Sequence, residues 1–194
     1  MVALHRRAKA YAGQTHPVTQ RIVVTGSECT GKTTLARQLA QALHTPWVPE
    51  YAREYAESLG RVLTVADVAA IARGQMERED AVRARSPHAL AVVYDTDLVS
   101  TTVYADHYYG QCPEWILKEA RERLGHLYLL SAIDIPWRAD SVRDQPLERE
   151  DIQARFVDRL RDFGACVLPV AGHGDTRLHV ALAAVRGWRA SATP

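Results

Sequence analysis

A chain of 194 residues, 47% apolar and 24% charged, is long enough for one domain with a full core and too short for two. A net charge of +1 without a one-sided block argues against capture by nucleic acid or anionic lipid. No apolar run approaches the roughly 20 residues a membrane helix needs. The basic start (MVALHRRAKAYAG) lacks the apolar stretch of a secretion signal, so the expected address is cytoplasmic.

Residues 1–20 read as a flexible leader and residues 21–190 as one domain. A β-branched run at 21–25 (RIVVT) predicts a buried strand. Residues 33–43 carry Leu35, Ala36, Leu39, Ala40 and Leu43 at helical spacing. A second strand is expected at 47–49 and a helix at 51–59, closed by Gly60. Thr64 can cap a long helix that Pro87 stops after Ser86. The nearly all-apolar run 88–95 (HALAVVYD) predicts a third strand, buried on both faces. Helices follow at 98–109 and 113–124, a fourth strand at 126–131, a charged surface segment near 135–147, a helix at 149–163, a fifth strand at 165–170 and a closing helix at 175–188. Strands alternating with helices predict an α/β three-layer fold: a parallel sheet of about five strands with helices on both faces.

Cys29, Cys112 and Cys166 are odd in number and far apart, which excludes a disulfide framework and gives no zinc spacing. The absence of asparagine removes two further classes. The Asn-Lys-x-Asp element that reads guanine in GTPases cannot be present. The protein-kinase catalytic loop, which needs an Asn for its second magnesium, cannot be present either.

Residues 26–33 (GSECTGKT) match G-x-x-x-x-G-K-[ST] at every fixed position, between a strand and an amphipathic helix. Gly26 and Gly31 permit the backbone angles that turn successive amides inward around phosphate oxygens, with Ser27, Glu28, Cys29 and Thr30 between them. The helix start at Thr33 and Thr34 adds its unpaired N–H groups to the same anion site. Lysine occurs only at Lys9, Lys32 and Lys118, so its retention in the loop points to a mobile point charge that follows the transferring phosphoryl group. Thr33 is placed to ligate magnesium, and Asp95 at a strand end can supply a second oxygen; Asp97 could instead be a helix cap. ATP and Mg2+ are therefore the expected cofactors.

Two segments favour a small-molecule kinase over a switch. Glu50, followed by Tyr51, Arg53 and Tyr55 (EYAREY), comes directly after the second strand, across the cleft from the loop. A carboxylate there can take the acceptor hydroxyl proton, with Asp95 the other candidate for that role, and Arg53 would point toward the same cleft. Arg138 and Arg143, in the segment after strand four, suit a closing lid that excludes water and stabilises charge.

These segments, with Gly74-Gln75 and DTDLVSTTVYADHYYG, make residues 22–164 resemble the ribosylnicotinamide kinase domain of NadR-type proteins. The resemblance implies ATP-dependent phosphorylation of the 5′-hydroxyl of nicotinamide riboside, for NAD salvage, in a P-loop nucleoside-kinase-like fold. It carries the phosphate and magnesium roles onto Lys32 and Thr33, and makes Glu50, Arg53, Gln75, Asp95 and Asp97 the candidates around acceptor and metal. The base pocket would draw on Trp47, Tyr51, Tyr55, Tyr104 and Trp137, since an aromatic face suits a cationic pyridinium ring. About 20 residues precede strand one and no H-x-G-H motif occurs, so neither adenylyl transfer nor repressor activity is expected. A kinase for another nucleoside or vitamin alcohol, and a regulatory ATPase read by a protein partner, remain the alternatives. The expected partner is a small-molecule riboside, with neither nucleic acid nor membrane.

Overall fold

The computed structural model describes residues 19–136 and 148–192. The leader up to residue 18, most of the predicted lid, and with it Trp137, Arg138 and Arg143, lie outside the described residues.

Five strands, β1 (Gln20–Thr25), β2 (Trp47–Val48), β3 (Ala91–Asp95), β4 (Leu127–Ser131) and β5 (Val167–Val170), form one sheet in the order β2-β3-β1-β4-β5. Every pairing is parallel, with Val23 opposite Tyr94 on one side and Tyr128 on the other. The helices are α1 (Lys32–Ala42), α2 (Tyr51–Leu59), α3 (Val68–Arg85), α4 (Leu98–Tyr109), α5 (Glu114–Glu122), α6 (Arg149–Asp162) and α7 (Gly174–Ala192).

Side chains alternate across the central strand, and that alternation builds two cores. Ile22 and Val24 of β1 pack with Leu35 and Leu39 of α1 and Val185 of α7 on one face. Val23 points the other way, into Val99 and Val103 of α4 and Phe156 and Leu160 of α6. A third cluster, with Val68, Leu98, Ile116 and Ala120, seals α3, α4 and α5 together. The third strand is shorter than its apolar run implies. His88 and Leu90 lie on the approach to it and are exposed, Leu90 by 69%. Thr64 does cap, but it caps a 3-10 turn at Val65–Asp67 through a reciprocal capping box, and that turn feeds α3.

The sheet order reverses at β1: the chain winds toward β3 and β2 on one side and toward β4 and β5 on the other. In open parallel sheets the crevice at such a switch point, beyond the carboxyl ends of the strands, is where ligands bind. The loop after β1, Glu50 after β2 and Asp95 at the end of β3 all sit at that edge.

Candidate active site

The loop from Gly26 to Lys32 is held in shape by backbone conformation and by its neighbours. Gly26 (φ 125°) and Gly31 (φ 76°) adopt angles that L side chains avoid. A Cβ on Gly26 would stand 3.0 Å from the Ser131 carbonyl oxygen, so the loop also needs glycine for its approach to β4. Thr30 Oγ1 and Lys32 Nζ each donate to the Ser27 carbonyl at 2.8 Å. Gln153 of α6 accepts the Ser27 N–H at 2.8 Å and donates to the Ser131 carbonyl at 3.0 Å, tying loop to sheet. Thr33 and Thr34 are exposed at the start of α1.

A residue that sequence reading missed completes this cradle. Arg177 of α7 is 3% exposed and donates to the Thr30 carbonyl, to the Asp134 carboxylate and, at 2.6 Å, to the Gly172 carbonyl. One guanidinium thus joins the phosphate loop, the end of β4 and the loop after β5. Spacing carries no signal for it, because its partners are up to 147 residues distant in the chain.

Beside the loop lies a cleft of about 170 Å³. Glu28, Lys32, Glu50, Arg53, Gln75 and Asp97 supply its polar lining. Val68 and Ile71 of α3 and Tyr104, Tyr108 and Tyr109 of α4 supply apolar and aromatic wall. The Tyr104 and Tyr108 rings lie nearly parallel, 11° apart in plane with centroids 6.0 Å apart. The Tyr108 hydroxyl donates to Glu28 at 3.3 Å, so a loop residue reaches the wall of the cleft.

Glu50 precedes α2 without capping it: its side chain makes no cap hydrogen bond, and it lines the cleft instead. Asp95 is 1% exposed, and neither of its carboxylate oxygens accepts an aligned hydrogen bond. Burial and the nearby Glu50 charge push its pKa up to about 6, while Thr33, Lys32 and Arg53 pull the other way. Residues of the phosphate loop and of the start of α2 thus influence one carboxylate. Asp97 also has a pKa of about 6, raised by burial and then by Glu79. It is the cap of α4, accepting the Val99 N–H at 3.0 Å, and it takes the Tyr128 hydroxyl at 2.6 Å. Between the two acids Thr96 holds φ 64°, a left-handed conformation that is costly for a β-branched residue.

Several aromatic candidates go elsewhere. The Tyr51 ring lies against Gly74, with the Arg78 guanidinium 4.9 Å from its centroid. Tyr55 donates to Asp67 at 3.1 Å, and Trp47 packs against the core beneath α1. Helical spacing explains this: Glu50 and Arg53 share the cleft side of the α2 start, and that leaves the two tyrosines for contacts with α3 and its capping turn. Tyr104 does line the cleft, and so do Tyr108 and Tyr109, about one helical turn on.

Among the described residues no cluster of three or more His, Cys, Asp or Glu could hold a metal ion. A magnesium site fits nonetheless. Asp95 offers two buried oxygens that accept no aligned hydrogen bond, beside the Thr33 hydroxyl, and magnesium binds through one or two protein oxygens plus phosphates and water. No described helix is long and apolar enough to cross a membrane.

A parallel sheet with a glycine loop at its switch point, a lysine in that loop and a helix start aimed at the same place define a P-loop nucleotide-binding α/β protein of nucleoside-kinase-like fold. Residues 21–177 match the AAA domain family, and the chain belongs to it. It is 30% identical over 147 residues to the trifunctional NAD biosynthesis/regulator protein NadR of Escherichia coli K12, covering 73% of this chain and 35% of that protein. A solved NadR protein in complex with NR matches with TM-score 0.77 at 28% identity, over 88% of this chain and 51% of that one. NadR in complex with NAD and AMP-PNP matches with TM-score 0.74 at 29% identity, over 88% and 49%. A thymidylate kinase from Ehrlichia chaffeensis, at 15% identity and TM-score 0.65 over 88% and 99%, shares the fold. The chain thus spans about a third of the curated relative's length and half of the solved one's.

Proposed function

We propose that this protein is an ATP-dependent kinase that phosphorylates the ribose 5′-hydroxyl of nicotinamide riboside to give nicotinamide mononucleotide, acting in the cytoplasm. The observation that carries the reading is Asp95. Its buried carboxylate, which accepts no aligned hydrogen bond, feels Thr33 and Lys32 of the phosphate loop on one side and Glu50 and Arg53 of the acceptor cleft on the other. That is where a phosphoryl group must pass between nucleotide and acceptor. The similarity to NadR solved with NR and with AMP-PNP supports both ligands.

The loop amides and the start of α1 hold the nucleotide phosphates. Lys32 leaves the Ser27 carbonyl for a phosphate oxygen and follows charge as it moves onto the leaving group. Magnesium, held by Thr33 and Asp95, would neutralise negative charge on the phosphates when bound. Glu50, aimed into the cleft rather than at its own helix, accepts the hydroxyl proton and orients the oxygen for in-line attack. Tyr104 and Tyr108 offer faces to the base, and a cationic pyridinium gains from such faces what a neutral base does not. Carboxylates at Glu28, Glu50 and Asp97 around the same cleft favour a cation further.

The test is ADP release with ATP and magnesium across a panel of ribosides. Strong stimulation by nicotinamide riboside, with its mononucleotide as product, is expected. Stimulation only by another riboside would keep the mechanism and replace the acceptor. Hydrolysis that no riboside stimulates would overturn the kinase reading in favour of a regulatory ATPase.

A further inference from the structure

Behind the cleft, away from the nucleotide loop, three polar side chains form a buried chain. Gln75 is 3% exposed, Glu79 0% and Arg21 6%. The Tyr51 N–H, at the start of α2, donates to Gln75 Oε1 at 3.0 Å. Gln75 Nε2 donates to Glu79 Oε1 at 3.2 Å, and Arg21 Nη2 donates to Glu79 Oε2 at 2.8 Å. An N–H at one end and a carboxylate at the other leave the Gln75 amide only one orientation. Its oxygen is taken by the backbone of α2. One Nε2 hydrogen is taken by Glu79, and the second is left for the cleft that Gln75 lines.

The pair that enforces this is badly built for stability. Arg21 stacks on the Tyr94 ring with its guanidinium carbon 4.2 Å from the centroid, yet its buried Nε and Nη1 have no hydrogen-bond partner among the described residues. Buried ion pairs are in general poor stabilisers compared with apolar residues of the same volume. An incompletely bonded pair, one end of which grips a side chain in the cleft wall, is better explained by what it orients.

Resting on the kinase reading above, we propose that Arg21 and Glu79 are positioning residues for acceptor specificity. Through the buried hydrogen bonds they fix Gln75 so that it presents an N–H donor to an oxygen of the bound riboside, a hydroxyl or carboxamide carbonyl. The acceptor recognised is thereby one with a hydrogen-bond-accepting oxygen over α3. The nucleotide side, which touches none of these residues, is indifferent to them.

Two double variants separate orientation from packing. In Arg21→Met/Glu79→Met the volume stays and the acceptor for Gln75 Nε2 is lost. The KM for the riboside should rise about tenfold while the KM for ATP stays within about twofold. In Arg21→Met/Glu79→Gln a neutral carbonyl oxygen remains at position 79, and the riboside KM should return to near the wild-type value. Equal riboside KM values in the two variants, or parallel rises for both substrates, would overturn the proposal.

A second measurement needs no substrate. In 15N-labelled wild-type protein the Gln75 side-chain amide protons, assigned by their loss in Gln75→Met, should be displaced from free-glutamine shifts and slow to exchange with solvent. Rapid exchange at free-glutamine shifts would overturn the proposal even in an active kinase. Slow exchange in a protein that phosphorylates no riboside would leave the network standing and refute the activity reading instead.

Discussion

In the proposed mechanism Lys32 and Glu50 act at opposite ends of the phosphoryl path, and their substitutions should fail in different ways. Lys32 is buried at the start of α1 and its ammonium rests on a loop carbonyl, so the fold does not depend on its charge reaching solvent. Lys32→Ala should lower kcat by about 10²–10³-fold, the scale of one lost transition-state donor, with little change in thermal midpoint. Wild-type turnover in that variant would refute the phosphate-loop mechanism. Glu50→Gln keeps the shape of the cleft and removes the proposed proton acceptor, for which about 10²–10⁴-fold in kcat is expected. Full activity with Gln at 50 would transfer the base role to Asp95. Single-turnover kinetics with saturating riboside would distinguish these losses from slow product release.

The start of α2, which carries Glu50 and Arg53, owes its position to α3. Gln75 takes the Tyr51 N–H, Arg78 donates to the Glu50 carbonyl at 3.3 Å, and the Tyr51 ring fills the space that Gly74 leaves. A Cβ at 74 would come within 2.1 Å of that ring. Gly74→Ala gains about 1 kcal/mol of helix propensity but overpacks the contact at about 1–3 kcal/mol. The expected net is a loss of about 1 kcal/mol together with a higher riboside KM. The same substitution in a Tyr51→Ala background should be stabilising, and chemical denaturation of all four proteins measures the coupling. A loss that persists without the Tyr51 ring would mean the clash is not its cause. At the other end of the site α7 supports the phosphate loop through Arg177. Arg177→Met leaves the Thr30 carbonyl without the guanidinium and Asp134 with the Gly172 N–H but no cation. It should destabilise by on the order of 2 kcal/mol and raise the KM for ATP rather than that for the riboside. An unchanged ATP KM would reduce Arg177 to a purely structural tie.

Across the whole molecule, the parallel sheet brings together residues remote in sequence, and its stability carries a pH signature at the entrance to β4. The Arg21 N–H donates to His126 Nδ1 at 3.0 Å and the His126 N–H donates back to the Arg21 carbonyl at 2.9 Å, extending the β1–β4 ladder. Partial burial, with like charge from Arg21 and Arg83, lowers the His126 pKa. The unfolded chain, titrating near 6.5, then binds more protons than the folded one in mild acid. This group's contribution is therefore present above that pH and is lost as the pH falls through the lowered folded value. The residue is solvent-exposed, so screening keeps the slope well below the limit of about 1.4 kcal/mol per pH unit for one group. Urea midpoints at pH 5 and pH 7.5 should differ less in His126→Gln than in the wild type. An identical difference would show that the imidazole does not titrate with unfolding.

Local pattern was enough for the elements and the conformation of the loop. Every predicted strand and helix among the described residues exists, because β-branched runs, helical spacing and turn residues act over a few positions. The glycines at 26 and 31 announced their conformation, since few other residues can adopt it. The same pattern placed Glu50 and Asp95 at strand ends but could not bring them to one point. That took the order β2-β3-β1-β4-β5, which sets β3 between β2 and β1. Long-range folding also decided which aromatics face the cleft: Tyr51 and Tyr55 turn to α3 and its capping turn, while Tyr108 lines the wall. Gln75 was among the sequence candidates, but Arg177 and the Arg21–Glu79 pair behind Gln75 were illegible for the same reason. Buried polar groups draw their meaning from partners that folding supplies, and a linear pattern records only neighbours in the chain.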